Sequence, residues 1–395
     1  IRTAPYHERF IELGAEFFDN TGWERPQWFG ANEKLLKERL AGPDRNGWAK
    51  RYWSTIIGAE HRATRETVAL FDLTPFTKLE ITGKGALNYL QHLTSNNMEK
   101  PEGRITYTSM LDYRGRVKCD LTVTRIASNK FLVVTGGSTG VIDLQWMKRN
   151  VINHGEVQLT DISSKWCCVG VWGPNARALV SKTTDSDLSN NAFPYMTGRW
   201  IMIGNVPTFA QRISYVGEMG WEIYAPNEFG LCLWDTLWEV GEPLGLIAAG
   251  GAAFDTLRLE KGYRLWGNDI HTEYNPYEAG IDFTVRLDKG KFIGRDALRR
   301  IKGEGLSKKL SCLTLIDRNV ALMGKEPVYL GKDIIGYVTS AGYGYTVGQS
   351  VAYSYLPLEQ AKVGTTVEIE YFGIRHKAKV TQEPLFDPKN SRLKS

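Results

Sequence analysis

Two acidic residues, Asp120 and Glu222, lie at positions where the surrounding sequence does not explain a charged side chain. Asp120 interrupts the strand-like segment of residues 119–125, and a charge there costs free energy unless solvent or a ligand compensates it. Glu222 lies four residues after Glu218 in a segment whose glycines permit a tight turn. Taken alone, Asp120 is either an edge or solvent-facing residue or part of a site, and the glutamate pair is typical of a charged hairpin. As site residues, such carboxylates could accept ligand hydrogen bonds or take up a proton.

His61 is a third residue with a possible chemical role. It lies between Glu60 and Arg62 within residues 52–66, where apolar positions recur at helical spacing. Because histidine titrates near neutral pH, His61 could donate a proton to a substrate, which makes it a candidate catalytic residue. The alternative is a histidine near a helix end that interacts favourably with the helix dipole or simply packs.

Length and composition limit the class of protein. The 395 residues exceed one domain of ordinary size and suggest two or three domains. With 42% hydrophobic and 24% charged residues, the chain resembles folded globular proteins and neither disordered nor fibrous ones. The net charge of +5 is scattered along the sequence. Nucleic acid is therefore not an expected partner, although a local basic funnel could attract an anionic small molecule.

The sequence predicts no membrane span, metal site or nucleotide-binding loop. The longest apolar candidate, residues 246–253, is interrupted by glycines and is shorter than the roughly 18 residues of a span. The five cysteines show no C-x-x-C spacing and the six histidines no metal-ligand spacing, so neither a metal nor disulfides are expected. No dinucleotide or phosphate-loop motif occurs. The first ten residues lack a signal-peptide core, which predicts a cytoplasmic protein, or a mitochondrial matrix protein if a leader was removed.

The pattern of elements predicts an α+β protein with a C-terminal barrel. Helical spacing over residues 52–66 is followed by strand patterns in residues 67–82, and residues 107–135 form a predicted meander. Helices and strands mix without the regular alternation of a doubly wound sheet. Beyond residue 306, short strands alternate with glycine turns, which predicts a small antiparallel barrel.

The first part of the chain contains the sequence GWERPQWF at residues 22–29. Two tryptophans that flank an Arg-Pro pair could form a ligand surface. Aromatic side chains in such extensions bury large areas, however, and we expect these to pin the segment to the body of the protein. A polar break at residues 42–47 follows and predicts a loop.

A series of motifs spans nearly the whole chain. In sequence order they are residues 22–26 (GWERP), 60–65 (EHRATR), 70–74 (LFDLT), 120–125 (DLTVTR), 172–174 (WGP), 215–222 (YVGEMGWE), 257–263 (LRLEKGY), 267–269 (GND) and 336–340 (GYVTS). In order and spacing, the series resembles the glycine-cleavage T-protein (aminomethyltransferase) superfamily. The similarity is greatest to the folate-binding C-terminal half of the dimethylglycine and sarcosine dehydrogenases.

The resemblance implies a three-domain cloverleaf, with two α+β domains, a C-terminal antiparallel β-barrel and tetrahydrofolate in a central funnel. On this basis residues 1–45 are an N-terminal extension. The folate-binding α+β domain combines residues 46–150 and 252–304, residues 151–251 form the second α+β domain, and residues 305–395 form the barrel.

The resemblance also implies roles for particular residues. Asp120 corresponds to the family's catalytic aspartate near the folate N5 and N10 nitrogens, and Glu222 to the glutamate that binds the donor edge of the pterin. Tyr215 and Tyr107 match aromatic positions that line the folate pocket, and Thr122 is assigned to the same pocket. These residue types suit the chemistry, because a carboxylate accepts hydrogen bonds from the pterin edge and flat rings need aromatic walls.

The implied function is a tetrahydrofolate-dependent one-carbon transferase that demethylates a small methylated metabolite. Two alternatives stay open. One is a folate-binding subunit or fragment of an FAD-dependent N-methylglycine-type dehydrogenase, with a flavoprotein partner; the other is a non-catalytic folate-binding scaffold. Scaffold relatives carry a cysteine-containing signature that residues 289–296 (KGKFIGRD) lack, which favours an enzyme. Where T-proteins have Ala-Arg-Asp, this chain has Phe254 in place of the arginine, which argues against the glycine-cleavage component itself.

Overall fold

The computed structural model describes residues 1–37, 42, 45, 47–152 and 155–395. Residues 43, 44 and 46 of the predicted loop at residues 42–47, and with them the domain boundary at residue 46, lie outside the described residues. The helices are α1 His7–Glu12, α2 Ile56–Glu66, α3 Ala86–Leu93, α4 Gly140–Arg149, α5 Ala176–Ser181, α6 Gly230–Gly241, α7 Gly251–Glu260 and α8 Arg295–Glu304. The strands are β1 Ala15–Asn20, β2 Trp23–Phe29, β3 Val68–Asp72, β4 Thr77–Thr82, β5 Ile105–Leu111, β6 Val117–Ala127, β7 Lys130–Thr135, β8 Gln158–Asp161, β9 Trp166–Trp172, β10 Gly198–Ile203, β11 Val206–Gln211, β12 Gly220–Pro226, β13 Leu246–Ala248, β14 Lys308–Leu315, β15 Pro327–Leu330, β16 Asp333–Gly344, β17 Gln349–Pro357, β18 Thr366–Tyr371 and β19 Ile374–Thr381.

The first sheet contains the predicted meander. Its strand order is β5-β6-β7-β4-β8, and all its pairings are antiparallel. Side chains on β6 alternate between the two faces of the sheet, as in any strand. Cys119, Leu121 and Val123 pack into an apolar core with helices α3 and α4. Asp120 and Thr122 therefore lie on the opposite face.

The second sheet has the strand order β10-β11-β12-β9-β3-β13, in which β13 and β3 are parallel and the other pairs antiparallel. On β12, Trp221 and Ile223 pack into a core with helices α5 and α6, so Glu222 and Tyr224 lie on the other face. That face meets the Asp120 face of the first sheet, because Val134 of β7 and Tyr224 share one apolar cluster. The two sheets thus enclose a common interior, with one predicted site carboxylate on each side.

The hydrogen-bonded sheets cross the predicted domain boundaries at two places. Strand β3 belongs to the segment assigned to the first α+β domain, yet it pairs with β9 and β13 of the second sheet. Strand β8 belongs to the segment assigned to the second domain, yet it pairs with β4 of the first sheet. Strands that are distant in sequence pair because the layers of the fold must bury their apolar faces. A division of the chain into consecutive segments does not describe such pairings. The domain division itself stays a prediction.

The predicted C-terminal barrel is confirmed. Its strands close in the order β14-β17-β16-β15-β18-β19, and every pairing is antiparallel. Aliphatic side chains of these strands fill the interior. Helix α7 joins the barrel to the rest of the protein, since its Leu259 packs with Tyr353 of β17. The predicted α+β class with a terminal barrel is therefore correct.

In the described part of the chain, none of the helices has the length and apolar character needed to cross a membrane.

The N-terminal segment packs onto the body, as expected from its aromatic residues. Strands β1 and β2 form an antiparallel hairpin. Tyr6, Phe10 and Phe29 are buried in the core beneath the second sheet. Trp23 is buried as well, with the Arg2 guanidinium 4.1 Å from the centre of its ring. Strand β2 also contacts helix α7, which brings the segment close to the interior between the sheets.

Gly250, just before helix α7, permits this close approach. A Cβ at this position would lie 2.1 Å from the carbonyl carbon and oxygen of Gln27, so Gly250→Ala must displace the hairpin or the helix. We expect a loss of about 1–3 kcal/mol in unfolding free energy, as for overpacked cores. Gly303→Ala in helix α8 is the matched control, because nothing lies within 4 Å of its added Cβ. Chemical denaturation of both variants checks this, and equal stabilities would contradict the close packing.

Candidate functional site

Asp120 lies on β6, an interior strand between β5 and β7, so it is not an edge residue. Its half-buried side chain accepts a hydrogen bond of 2.9 Å at Oδ2 from the Tyr107 hydroxyl. Burial raises the pKa of Asp120 to about 6, against the lowering effect of the Tyr107 hydrogen bond. At neutral pH the carboxylate is mostly ionised, yet near enough to its pKa to exchange a proton. Thr122 is the next residue on this face and the cross-strand neighbour of Tyr107.

A buried carboxylate lies behind Asp120, on the core side of the strand. Asp143 of helix α4 accepts hydrogen bonds from the hydroxyls of Thr135, at 2.6 Å, and Thr139, at 2.8 Å. Its negative charge adds to the effect of burial in raising the pKa of Asp120. The packing of helix α4 on the sheet therefore contributes to the proton affinity of Asp120.

Glu222 is buried on β12, where it pairs across the strands with Gln211 of β11. Its Oε2 accepts a hydrogen bond of 2.6 Å from the Tyr224 hydroxyl, and within the described residues no hydrogen bond reaches Oε1. Burial raises the pKa of Glu222 to about 7, while the Tyr224 hydrogen bond and the Lys78 charge oppose this change. One oxygen of a partly ionised carboxyl is thus available to a ligand.

Gln211 connects the two sheets. Its Nε2 donates a hydrogen bond of 3.0 Å to the Thr124 hydroxyl on β6. Its Oε1 is buried and has no partner among the described residues, which is costly unless a ligand donor pairs with it. Because a strand rises about 3.3 Å per residue, the backbone at Thr124 lies roughly 13 Å from that at Asp120. The interior surface therefore runs from Asp120 at one end to Gln211 and Glu222 at the other.

Tyr215 provides a flat aromatic face beside this surface. Its ring stacks on Phe254 at a centroid distance of 5.1 Å and on Tyr263 at 5.8 Å. Its hydroxyl donates a hydrogen bond of 2.6 Å to the carbonyl oxygen of Arg264, which fixes the orientation of the ring. Three stacked rings of this kind make a rigid apolar wall.

Tyr107 and Tyr215 are both close to Asp120. Burial is the main cause that raises the pKa of each tyrosine, and the negative charge of Asp120 adds to the shift in both. The ring of Tyr107 also stacks on the exposed ring of Phe283, at a centroid distance of 6.0 Å. Asp120, Thr122, Tyr107 and Tyr215 are therefore neighbours in the folded chain.

Tyr195 connects this aromatic group to Glu222. Burial raises the pKa of Tyr195 to about 12; a hydrogen bond with Tyr263 opposes the shift, and the charge of Glu222 adds to it. Tyr263 in turn stacks on Tyr215. Tyr195 therefore lies in the same part of the interior as Tyr263 and Glu222.

His61 lies apart from this surface. Its fully buried ring stands between helices α2 and α7 and the barrel, with Nδ1 2.8 Å from the Thr256 hydroxyl and Nε2 2.7 Å from the Thr346 hydroxyl. Burial lowers the pKa of His61, although the nearby Glu260 carboxylate opposes this change. With both ring nitrogens bonded and no exposed surface, His61 fits the packing interpretation better than that of a proton donor. We do not include it in the proposed site.

The glutamates at positions 218 and 222 have different environments. Glu218 is buried in ion pairs with Arg65, at 3.1 Å, and Arg392, at 3.0 Å. Glu222 has no cation within ion-pair distance among the described residues. The charged hairpin that the local sequence indicates lies between the antiparallel strands β11 and β12, and both of its glutamates are buried.

Sequence reasoning missed Gln211, Tyr195, Tyr263 and Phe283 as members of this surface. Gln211 carried a weak signal, because a polar side chain at the end of an apolar strand needs a partner when it is buried. The three aromatic residues carried none, since they come from segments far apart in the sequence and have no shared spacing.

The residue types on this surface are chemically suited to tetrahydrofolate, the cofactor that the resemblance implies. A pterin carries N–H donors along one edge, and Glu222 Oε1 and Gln211 Oε1 are acceptors that have no partner in the described residues. Its flat rings match the aromatic wall formed by Phe254, Tyr215 and Tyr263. The described residues contain no cluster of His, Cys, Asp and Glu side chains suited to a metal ion.

Comparison with family models and solved structures identifies related proteins. The GCVT N-terminal domain matches residues 6–289, and the glycine cleavage T-protein C-terminal barrel domain matches residues 308–387. The crystal structure of glycine cleavage system aminomethyltransferase T from Bartonella henselae superposes with a TM-score of 0.84. It is 25% identical, and the match covers 97% of this chain and 98% of that one.

Curated relatives include oxidoreductases and transferases. Human mitochondrial dimethylglycine dehydrogenase is 35% identical over 95% of this chain and 43% of that protein. The formaldehyde-forming 4-methylaminobutanoate oxidase of Paenarthrobacter nicotinovorans is 34% identical over 100% of this chain and 47% of that protein. The chain thus spans about half the length of both. An aminomethyltransferase of Thermoanaerobacter pseudethanolicus is 36% identical over 82% of this chain and 87% of that protein. The chain therefore belongs to the glycine-cleavage T-protein (aminomethyltransferase) family, as its motifs predicted.

Proposed function

We propose that this chain is a tetrahydrofolate-dependent one-carbon transferase that demethylates a small methylated metabolite. The observation that carries the proposal is the interior between the two sheets, with Asp120 at one end and the free acceptors of Glu222 and Gln211 at the other. Family membership supports it, because the relatives include an aminomethyltransferase, a dimethylglycine dehydrogenase and a 4-methylaminobutanoate oxidase.

In this proposal, Glu222 and Gln211 hold the donor edge of the pterin. A carboxylate that accepts N–H donors forms charge-assisted hydrogen bonds, and these favour its ionised form. Tyr215 forms the wall on which the flat part of the cofactor rests. Thr122 contributes its hydroxyl on the face between the two ends of the surface.

Asp120 acts at the reacting end. Tetrahydrofolate, when bound, supplies a nucleophilic nitrogen that accepts the one-carbon unit. Asp120 takes up a proton released there or stabilises positive charge on the donor. The Tyr107 hydroxyl, 2.9 Å from Oδ2, holds the carboxylate in place and lowers its pKa, which keeps it ionised at neutral pH.

Two measurements on the full chain test this function. Calorimetry with tetrahydrofolate should detect binding, and its absence would contradict the proposal. Turnover should then be measured with N-methyl, O-methyl and S-methyl donors in the presence of tetrahydrofolate. Binding without turnover of any donor would favour the non-catalytic scaffold instead.

A second candidate is the folate-binding portion of a flavin-dependent dehydrogenase for an N-methylglycine-type substrate. The observation that favours it is the match to about half of each related oxidoreductase. In that case a flavoprotein partner performs the oxidation and this chain captures the resulting one-carbon unit. A location in the cytoplasm or the mitochondrial matrix agrees with either candidate and stays a prediction.

The folate product distinguishes the two candidates. Direct demethylation leaves 5-methyltetrahydrofolate, whereas capture of an iminium ion or formaldehyde leaves 5,10-methylenetetrahydrofolate. Mass spectrometry of the folate after turnover identifies which is formed. The first product supports a demethylase that acts alone, and the second supports a flavoprotein partner.

The affinity for tetrahydrofolate should fall when the pH drops below about 7. Burial raises the pKa of Glu222 to about 7, so the carboxyl of the free protein is protonated in acid. If the ionised form binds the donor edge, the apparent affinity should fall about tenfold per pH unit below this pKa. Calorimetry across this range measures the slope. Glu222→Gln should bind weakly without that slope, and a wild type without it would contradict the role of Glu222.

A further inference from the structure

Lys78 is a fully buried lysine that the function proposed above does not use. It lies on β4, and 0% of its surface is exposed. Its Nζ donates a hydrogen bond of 2.7 Å to the carbonyl oxygen of Thr74, and it forms no ion pair within 4 Å among the described residues. An ammonium group has three donors, and its burial without an adjacent counter-charge is costly. Packing alone therefore does not explain a lysine at this position.

The strand register places Lys78 on the face of the first sheet that is turned toward the second. Lys78 is opposite Val134 of β7, Val134 is opposite Thr122 of β6, and Thr122 is opposite Tyr107 of β5. Residues directly opposite one another on neighbouring strands share a face of the sheet. Val134 packs in one apolar cluster with Tyr224 of the second sheet. Lys78 therefore lies on the interior side, in the same cross-strand row as two residues of the candidate site.

A short series of contacts leads from Lys78 to Glu222. The hydroxyl of Thr74, whose carbonyl oxygen binds the Lys78 ammonium, accepts a hydrogen bond of 3.2 Å from the backbone N–H of Cys168. Cys168 of β9 is opposite Tyr224 of β12, so their side chains share a face. The Tyr224 hydroxyl donates its hydrogen bond of 2.6 Å to Glu222 Oε2. Ammonium and carboxylate thus belong to one buried polar group without forming a direct ion pair.

The electrostatics of Glu222 agree with this placement. Burial raises the pKa of Glu222 to about 7, while the Tyr224 hydrogen bond and the positive charge of Lys78 oppose the rise. Little water separates two buried groups, so the attraction between their charges is screened less than at the surface. Lys78 can therefore act on the carboxylate without touching it.

Other titratable groups also face these two residues. Burial lowers the pKa of Lys78; the groups that modify this effect are Cys168, Asp72 and Cys167, which oppose it, and Arg2, which adds to it. Glu222 also interacts with Cys168 and with the hydroxyls of Tyr224 and Tyr195. Burial raises the pKa of each of these thiols and hydroxyls, so they stay neutral near pH 7. Of the partners of Lys78 named here, Glu222 is the one whose pKa is raised to about 7.

We propose that Lys78 is a positioning residue for Glu222, whose buried positive charge keeps the carboxylate in the ionised form that accepts hydrogen bonds from a ligand. The inference rests on the proposed function in that Glu222 is assigned there to the donor edge of the pterin. A protonated carboxyl would present an O–H donor to that edge and would bind it weakly.

Lys78→Met tests this role, because methionine is an unbranched side chain of similar length without the charge. Calorimetry with tetrahydrofolate between pH 6 and 9 should show that the pH below which the affinity falls is about one unit higher than in the wild type. At pH 7 the variant should bind about fivefold more weakly, and at pH 9 nearly as tightly as the wild type. A merely structural defect would instead weaken binding at every pH alike.

Two control variants make the test specific. Lys84→Met removes an exposed lysine just after β4 that pairs with Glu156 at 2.9 Å, and it should keep the wild-type pH profile. Lys78→Arg keeps the charge, so its profile should keep the wild-type midpoint even if the larger side chain lowers the affinity at every pH. If Lys78→Met does not fold, Lys78→Gln replaces it, since it also removes the charge. An unchanged midpoint in the charge-free variant would overturn the proposal.

The stability of the chain measures the same interaction without folate. Because the folded chain binds the Glu222 proton more tightly than the unfolded chain, the contribution of Glu222 to stability falls as the pH rises from 4.5 to about 7. Without Lys78 this fall should continue to a higher pH. In chemical denaturation at pH 9, Glu222→Gln should therefore stabilise the Lys78→Met background more than it stabilises the wild type.

The two measurements separate this inference from the proposed function. A chain that shows the pH-dependent coupling between Lys78 and Glu222 but binds no tetrahydrofolate would retain the role of Lys78 and overturn the proposed function. Tetrahydrofolate binding with the same pH profile in the wild type and Lys78→Met would overturn the role of Lys78 and leave the proposed function standing.

Discussion

Asp120→Asn should lower the single-turnover rate of one-carbon transfer by about 10²- to 10⁴-fold, the usual contribution of a positioned acid or base. The affinity for tetrahydrofolate should stay nearly the same. Asparagine keeps the size of the side chain and an oxygen that can accept the Tyr107 hydrogen bond, but it cannot take up a proton. Rapid-quench kinetics and calorimetry on the same preparation measure the two quantities separately.

Two further variants make this test specific. Glu80→Gln alters a carboxylate of the same sheet that pairs with Lys130 at 2.7 Å at a partly exposed position, and turnover should not change. Tyr107→Phe removes a hydrogen bond that lowers the pKa of Asp120, so the acidic limb of the pH–rate profile should move to higher pH. An Asp120→Asn enzyme with full turnover would remove the catalytic role that we assign.

Glu222→Gln should weaken tetrahydrofolate binding by about 10- to 150-fold, which corresponds to roughly 1.5–3 kcal/mol for a charge-assisted pair. The glutamine side chain keeps the shape of glutamate but presents an NH₂ group to a ligand edge that itself donates hydrogen bonds. Turnover at saturating folate should fall much less than the affinity. Calorimetry and single-turnover kinetics at several folate concentrations separate the two effects.

Glu222→Gln should not destabilise the protein, and this result would indicate that the carboxylate serves ligand binding rather than folding. Burial raises its pKa from the ordinary value of 4.5 to about 7, so the folded chain binds this proton more tightly than the unfolded chain. Its contribution to stability therefore falls as the pH rises between these two values. Glutamine has no charge to bury, so it avoids the free-energy cost of an ionised carboxylate at pH 8. The variant should therefore melt at the same or a higher temperature than the wild type at that pH. Glu228→Gln, at an exposed position after β12, should change neither property. Wild-type folate affinity in Glu222→Gln would contradict the anchor.

The sequence by itself determined the local elements and the family. The helix predicted in residues 52–66, the meander in residues 107–135 and the strands beyond residue 306 all form, because each depends on a periodic pattern within one segment. The barrel follows in part from the same logic, since three of its six strand pairings join strands that are consecutive in the chain. The motif series spans both matched family models, which is why the family could be identified without coordinates.

The environment of individual side chains was harder to predict from the sequence. The local sequence of Asp120 was also compatible with an edge or solvent-facing position, and only the pairing of β6 with strands on both sides excludes the edge. The sequence leaves His61 as a candidate proton donor, and only the tertiary structure encloses its ring between Thr256 and Thr346, which lie 195 and 285 residues away. Burial and hydrogen-bond partners depend on such contacts, and no local pattern encodes them.

Tertiary structure alone decided how the site is assembled. The exchange of β3 and β8 between the sheets, the hydrogen bond from Gln211 to Thr124 and the approach of Arg25 to Asp72 all join segments 47 or more residues apart. Each of these contacts forms because two layers must bury their apolar faces against one another, and the polar groups at the edges of those faces then meet. Sequence periodicity specifies which face of an element is apolar. Which other face covers it, and which buried oxygen is left without a partner, such as Oε1 of Gln211, is decided only when the whole chain packs.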